Sequence, residues 1–327
     1  MEYRKGLLTA TLALLMVGGA SAKKMTNYLF AYFTGNAPEK EQICFAVSDD
    51  GFNYTPLNGG KPIIGSDSIA VAKDVRDPHI LRGEDGCFYM VVTDMRCTLG
   101  WASNRGMVLL KSKDMIHWQH STVNFPTKYA GKNFEHVTRV WAPQTIYDKQ
   151  AGKYMVYFSL LTDDGTIPYD RVYWCYANKD FTDLEGDPQV LFDFQHPSID
   201  TDIVQDKDGV YHLFFKTEGD SHKGIRQYTF TDLHHPETWQ LQDGYCEATK
   251  EAVEGAGVFP LIGGGWCLMY DCYRNGHYQF SKSADLKHFS FVQNTETKGK
   301  FTPRHGTVIQ ITKKELKSLK KAFPISE

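Results

Sequence analysis

Arg76-Asp77-Pro78-His79-Ile80-Leu81 is one of five phrases in this chain that open an apolar strand, turn, and lead into a second strand dense in aromatics. Its counterparts are Val140-Trp141-Ala142-Pro143, Ile199-Asp200-Thr201-Asp202, Val253-Glu254-Gly255-Ala256 and Arg304-His305-Gly306-Thr307. The aromatic-rich second strands begin at Tyr28, Phe88, Tyr154, Tyr211 and Trp266, with starts 60, 66, 57 and 55 residues apart. Four of them follow hairpin chemistry, at Asp85-Gly86, Gly152-Lys153, Asp208-Gly209 and Gly263-Gly264-Gly265. A third strand and the approach to a fourth come next, as where Asp114 leads to Trp118 and Asp285 to Phe289. Five repeats of four short antiparallel strands predict an all-β fold, a five-bladed β-propeller, which leaves only short, protected sheet edges. The phase adds a detail: the repeats begin on a second strand at Tyr28 and end on a first strand over 304–311, so both termini should build one blade.

Residues 1–22 stand outside that pattern. Arg4 and Lys5 precede an apolar run over 7–17 that ends at Ala20-Ser21-Ala22, the order of a cleavable secretory signal. The run is shorter than the roughly 20 residues that span a bilayer, so export to the periplasm or medium is expected, without a membrane anchor. No cysteine follows the cleavage site to carry a lipid. Residues 23–327 contain no linker-like stretch and read as one domain, and a monomer is expected. Net charge is −3, or −4 once Glu2, Arg4 and Lys5 leave with the signal. Neither value suggests a nucleic-acid partner. Near the C-terminus, Leu316, Leu319 and Phe323 recur at helical spacing among Lys313, Lys314, Lys317, Lys320 and Lys321, predicting a short helix docked on the propeller. The seven cysteines show no paired metal-ligand spacing, and their odd number leaves at least one without a partner in the chain. Cys44, Cys87, Cys175 and Cys267 fall in apolar strand patterns and are expected to be buried thiols.

Inner strands of a propeller start on one face and line its axis. Asp77, Trp141, Asp200, Glu254 and His305 are read as the residues that open them, which brings three carboxylates, an aromatic and a histidine to one pocket. A lone carboxylate there would be a solvated strand cap; three at one phase of a repeat are harder to dismiss. Two carboxyl groups across a pocket suit glycoside hydrolysis, one as acid and one as base, and a third keeps the acid protonated by like-charge repulsion. The sequence carries no Walker loop, dinucleotide fingerprint, zinc-type histidine cluster or Gly-x-Ser-x-Gly elbow.

With Arg76-Asp77-Pro78, Trp141-Ala142-Pro143, Ile199-Asp200, Glu254-Gly255 and Arg304-His305-Gly306 in this order and spacing, the chain resembles glycoside hydrolase family 43, the five-bladed inverting exo-glycosidases and endo-arabinanases. The resemblance covers essentially everything after the signal. It implies that Asp77 is the general base, that Asp200 tunes and orients the acid, and that Glu254 is the general acid. The intervals of 123 and 54 residues equal two blades and then one. Thr201 and Ala256 depart from the family's commoner prolines. For His305 the resemblance implies contact with a central metal ion, usually calcium, with a neutral hydrogen-bonded histidine as the alternative. Trp141 would stack on a sugar face or pack between blades. Arg76 and Arg304 would orient carboxylates or substrate hydroxyls, or form ion pairs. Asp94, Glu218 and Asp271 are reserve carboxylates where second strands end, with Glu218 the substitute acid. The implied substrate is a carbohydrate, with terminal α-L-arabinofuranose leading and β-xylose and β-galactose or galactofuranose open. A non-catalytic sugar-binding propeller and a glycoside phosphorylase are the competing readings.

Overall fold

The computed structural model describes residues 23–219, 223–296 and 301–325; the expected signal segment 1–22 lies outside them. Twenty strands form five four-stranded antiparallel sheets, the blades of a propeller. The closing blade holds β1 (Met25–Tyr32), β2 (Cys44–Ser48) and β3 (Thr55–Pro56). The next two comprise β4 (Val75–Arg82), β5 (Phe88–Asp94), β6 (Gly106–Ser112) and β7 (Trp118–Asn124), then β8 (Val137–Asp148), β9 (Lys153–Thr162), β10 (Arg171–Ala177) and β11 (Leu184–Phe192). The last two comprise β12 (Ser198–Gln205), β13 (Tyr211–Thr217), β14 (Gly224–Phe230) and β15 (Gln240–Leu241), then β16 (Glu254–Pro260), β17 (Trp266–Cys272), β18 (His277–Ser283) and β19 (Ser290–Glu296). Finally β20 (Gly306–Thr312) returns to pair antiparallel with β1, from Tyr32↔Gly306 to Met25↔Thr312. Strands β4, β8, β12, β16 and β20 touch one another in ring order around the axis.

The second strands are apolar on consecutive residues because successive side chains point to opposite faces and each face meets a neighbouring blade. In β5, Phe88, Met90 and Val92 pack toward the closing blade, while Tyr89 and Val91 pack toward β8 and β9. In β1, Leu29 and Ala31 face the β4 blade, while Tyr28, Phe30 and Tyr32 face β17 and β18. Five clusters of this kind fill the five interfaces between blades. A fully buried Phe such as Phe30 contributes about 1.5–3 kcal/mol through removal from water.

Turns into three of the outer strands share one device. Ser112 Oγ accepts from the amides of Asp114 and Met115, at 3.2 and 2.9 Å, and Asp114 Oδ1 accepts from Ile116 and His117. Ser48 with Asp50 and Ser283 with Asp285 repeat it. Such local side-chain acceptors favour a turn over continued strand.

The expected C-terminal helix is α2 (Lys313–Ala322), if the single turn Phe125–Lys128 is taken as α1. A reciprocal capping box between Thr312 and Glu315 starts it. Leu319 is buried in the cluster between the closing and β4 blades, with Leu316 and Phe323 partly buried beside it. Arg82 of β4 forks onto both oxygens of Glu315 at 2.9 Å, fastening the helix to a second blade. Cys44, Cys175 and Cys267 are buried thiols as expected; Cys87 is only half-buried, because it closes the β4–β5 turn beside Asp85.

Candidate functional site

An inner strand has a neighbour on one side only, so its other row of amides must find partners across the axis. Here, at four of the five junctions, one blade supplies acceptors to the next. Thr307 Oγ1 accepts from Ile80 N at 2.8 Å, Thr93 Oγ1 from Ala142 N at 2.9 Å, and His79 Nδ1 from Thr145 N at 3.3 Å. Tyr157 Oη accepts from Ile203 N at 3.1 Å, Asp200 Oδ2 from Gly255 N at 2.8 Å, and Asp202 Oδ2 from Val258 N at 2.7 Å. Polar side chains on the channel wall therefore complete the sheets as well as lining the site.

The same inner strands bulge where they reach the active face. Arg76 pairs with Thr93 but the next partner is His79; likewise Trp141 jumps to Gln144, Ile199 to Asp202 and Glu254 to Gly257. The residue entering each bulge is left-handed: Asp77, Ala142, Asp200 and Gly255, with φ of 51, 44, 52 and 64°. This corrects the expected phasing. Asp77 and Asp200 are equivalent, but Trp141 and Glu254 each stand one position earlier, in the place of Arg76 and Ile199. Glycine is needed at 255 because a Cβ there would lie 2.7 Å from the His305 ring.

Arg76, Asp77, Met95, Trp101, Trp141, Ile199, Asp200, Glu254 and His305 line one pocket of about 70 Å³. That is room for roughly five to seven water-sized bodies. All the primary sequence-derived residues except Arg304 line it, and Arg304 binds Glu254 from behind. His305 Nδ1 sits 3.4 Å from Asp77 Oδ1 and 3.6 Å from Asp200 Oδ1. Thr93 Oγ1 donates to Asp77 Oδ2 at 2.8 Å. The Arg304 guanidinium donates to Asp271 and, at 2.8 Å, to Glu254 Oε1.

The three carboxyls are displaced in different directions, Asp77 downward and both Asp200 and Glu254 upward. Burial would raise Asp77, but the hydrogen bond and charge of His305, with Arg76 and Thr93, hold it below the usual carboxylate range. Asp200 is raised, by burial and by the neighbouring Asp77 charge. Glu254 is raised by burial and by Asp200, which together outweigh Arg304 and Lys216. Burial would lower His305, yet Asp200, Asp77 and Glu254 lift it to about 9. Glu254 is the most open of the three, its side chain 23% exposed against 12% for Asp77 and 9% for Asp200.

The remaining sequence-derived residues are tied down by their own partners. Arg76 donates to Glu41 at 2.9 Å and Asn36 at 2.8 Å, and its guanidinium lies between the rings of Phe33 and Trp101. Trp141 meets Trp101 edge-on and carries Arg139 on its face at 4.2 Å. Asp94 accepts from the amides of Val71 and Ala72 and shapes a loop. Glu218 accepts from buried Lys216 at 2.7 Å and does not line the pocket. A calcium ion in the channel would take six to eight oxygens, waters among them, and Asp77 and Asp200 are the residues that would supply carboxylate oxygens beside His305. Among the described residues, Asp77 and Asp200 are the carboxylates within 4 Å of that ring, and both are held by its Nδ1.

Residues absent from the sequence-derived set complete the channel. Asp202 is raised by burial to about 7, and His79 is lowered to about 3 by burial and the His305 charge. Lys216, Thr93 and Trp101 join them. Asp202 carried a readable signal, a second carboxylate two residues after Asp200; Thr93 and Lys216, inside second strands, carried none.

A family model described as "Probable glycosyl hydrolase domain", of the family 43-related group, matches residues 23–317. An α-L-arabinofuranosidase of Bifidobacterium longum subsp. longum is 27% identical over 211 residues, covering 56% of this chain and 18% of that protein. The chain thus spans under a fifth of that relative. Among solved structures, an endo-1,4-β-xylanase of Bacteroides thetaiotaomicron aligns with TM-score 0.57 at 12% identity over 86% of this chain and 93% of that one. The GH43 protein BlXynB of Bacillus licheniformis aligns with TM-score 0.55 at 14% identity, covering 88% and 56%. A GH43_1 enzyme of Xanthomonas citri gives 0.52 at 15%, covering 67% and 74%. At these identities the structures speak for the fold.

Proposed function

Since this chain belongs to the glycosyl hydrolases related to family 43, we propose that it cleaves a terminal sugar by inversion, with Asp77 as base, Glu254 as acid and Asp200 as the residue that keeps the acid protonated. The observation that carries this is the opposite displacement of two carboxyls in one pocket, Asp77 held ionised and Glu254 pushed toward its neutral form. A water gives its proton to Asp77 as its oxygen bonds to the anomeric carbon. The glycosidic bond breaks on the other side, and the leaving oxygen takes the Glu254 proton. Solvent exchange then returns Asp77 to carboxylate and Glu254 to acid. His305 and Thr93 hold Asp77, the Gly255 amide holds Asp200, and Arg304 holds Glu254.

The leading substrate is α-L-arabinofuranose at a non-reducing end. Two observations support it: the arabinofuranosidase activity of the Bifidobacterium relative and a pocket sized for one sugar ring. The chain is further proposed to be exported by residues 1–22 and to act as a monomer in the periplasm or medium. Aryl α-L-arabinofuranoside, β-xyloside, β-galactoside and β-galactofuranoside, with arabinose-decorated oligosaccharides, test the reading. Arabinose released first as the β-anomer, with no need for phosphate, is the expected result. Release of another sugar would reassign the substrate. A retained anomer, phosphate dependence, or binding without turnover would overturn the mechanism.

A further inference from the structure

We propose that Glu251, Cys272 and His277 form a binding site for one zinc ion, or a late first-row divalent ion of similar chemistry. None of the three lines the axial pocket. Cys272 ends β17 and His277 starts β18, and the two are cross-strand partners, so their side chains share a face of the sheet. Glu251 reaches them from the segment before β16. One ligand atom from each lies within 4.8 Å of the others, and no other such group of His, Cys, Asp and Glu occurs among the described residues.

A plain ion pair between Glu251 and His277 accounts for this arrangement poorly. Glu251 Oε2 and His277 Nε2 are 2.9 Å apart, yet both atoms are buried and neither has a hydrogen bond of acceptable geometry. Two buried lone-pair atoms that face each other without a well-placed hydrogen, with a thiol beside them, are what a cation would join. One sulfur, one imidazole nitrogen and one carboxylate oxygen select zinc over calcium or magnesium, which take oxygens. Tetrahedral zinc needs ligand separations of roughly 3.4–3.6 Å. The Glu251–His277 gap would open by about half an ångström, which the 34% exposure of the Glu251 side chain allows. Cys272 is fully buried, so the fourth position falls on the exposed side, toward water.

Binding replaces the Cys272 S–H bond by a Zn–S bond and releases that proton to solvent, while His277 gives a neutral lone pair and Glu251 a carboxylate. The ion would tie the segment three residues before Glu254 to the hairpin beginning one residue after Asp271. Both of those carboxylates are held by Arg304, so the ion braces their mounting without touching substrate.

The full chain, stripped with a chelator, is titrated with zinc against a chromophoric competitor and with cobalt followed by absorbance. One equivalent of zinc, a thiolate-to-cobalt charge-transfer band and a melting temperature raised by a few degrees are expected. Cys272→Ser and His277→Ala should abolish the band and weaken zinc by about tenfold or more. Should those variants fold poorly, Glu251→Gln, on the exposed side, should keep the metal-free melting temperature and still lose about tenfold. Absence of stoichiometric binding overturns the proposal and leaves an ion pair only. So does binding without a thiolate band that survives Cys272→Ser, which would put the ion elsewhere, such as at His305.

Discussion

Glu254→Gln separates proton donation from every other role of the residue. The amide oxygen can still accept from Arg304, now at 2.8 Å from Oε1, and Asp271 still holds that guanidinium. The pocket should keep its shape while losing its acid. General acid catalysis contributes about 10²–10⁴ in rate, or roughly 3–5 kcal/mol of barrier. Arabinose-decorated oligosaccharides, whose sugar leaving groups need a proton, should lose about 10³-fold in kcat/KM. Dinitrophenyl arabinofuranoside, whose phenolate leaves unaided, should lose less than about tenfold. The wild-type rate should also fall as pH rises through the raised pKa of Glu254, and that alkaline limb should disappear in the variant. Steady-state kinetics on both substrates, with a melting curve to confirm the fold, measure all of this. An equal loss on the two substrates, or no loss, would refute Glu254 as the acid.

Asp77→Asn should cost about 10³-fold or more on both substrate types, because water activation is needed whatever leaves; a loss confined to poor leaving groups would reverse the two roles. Gly255→Ala places a left-handed Cβ 2.7 Å from the His305 ring, and should lower stability by at least about 1–2 kcal/mol, read by urea unfolding, with activity falling too. His305, raised from 6.5 to about 9, contributes stability that is fully present below about pH 6.5 and lost as pH rises through about 9. The melting temperature should fall across that window, and His305→Gln should flatten the fall.

The propeller was legible because a strand between two blades is apolar on both faces, which prints runs such as Phe88-Tyr89-Met90-Val91-Val92 at regular intervals. Asp77, Asp200, Glu254 and His305 were legible because they punctuate those runs. The one-residue offset of Trp141 and Glu254 was not. It depends on left-handed residues at 77, 142 and 200, where no glycine marks the bulge. Nor could Thr93 be seen as the mount for Asp77, since its hydroxyl also serves an amide in the following blade. Partnerships across the axis join residues whose separation in sequence follows no fixed spacing. Half-buried Cys87 shows the opposite limit: strand-like neighbours do not reveal which residue sits on the rim of a turn.

The pairing of β20 with β1 ties completion of the ring to completion of the site. Tyr32 and Gly306 meet across most of the chain, so the closing blade has no inner strand until β20 is in place. Arg304 and His305 stand immediately before that strand, His305 beside Asp77 and Arg304 on Glu254. Without β20 the pocket would keep its three carboxylates but lose both of these cations, so the strand that closes the ring also completes the wall of the pocket.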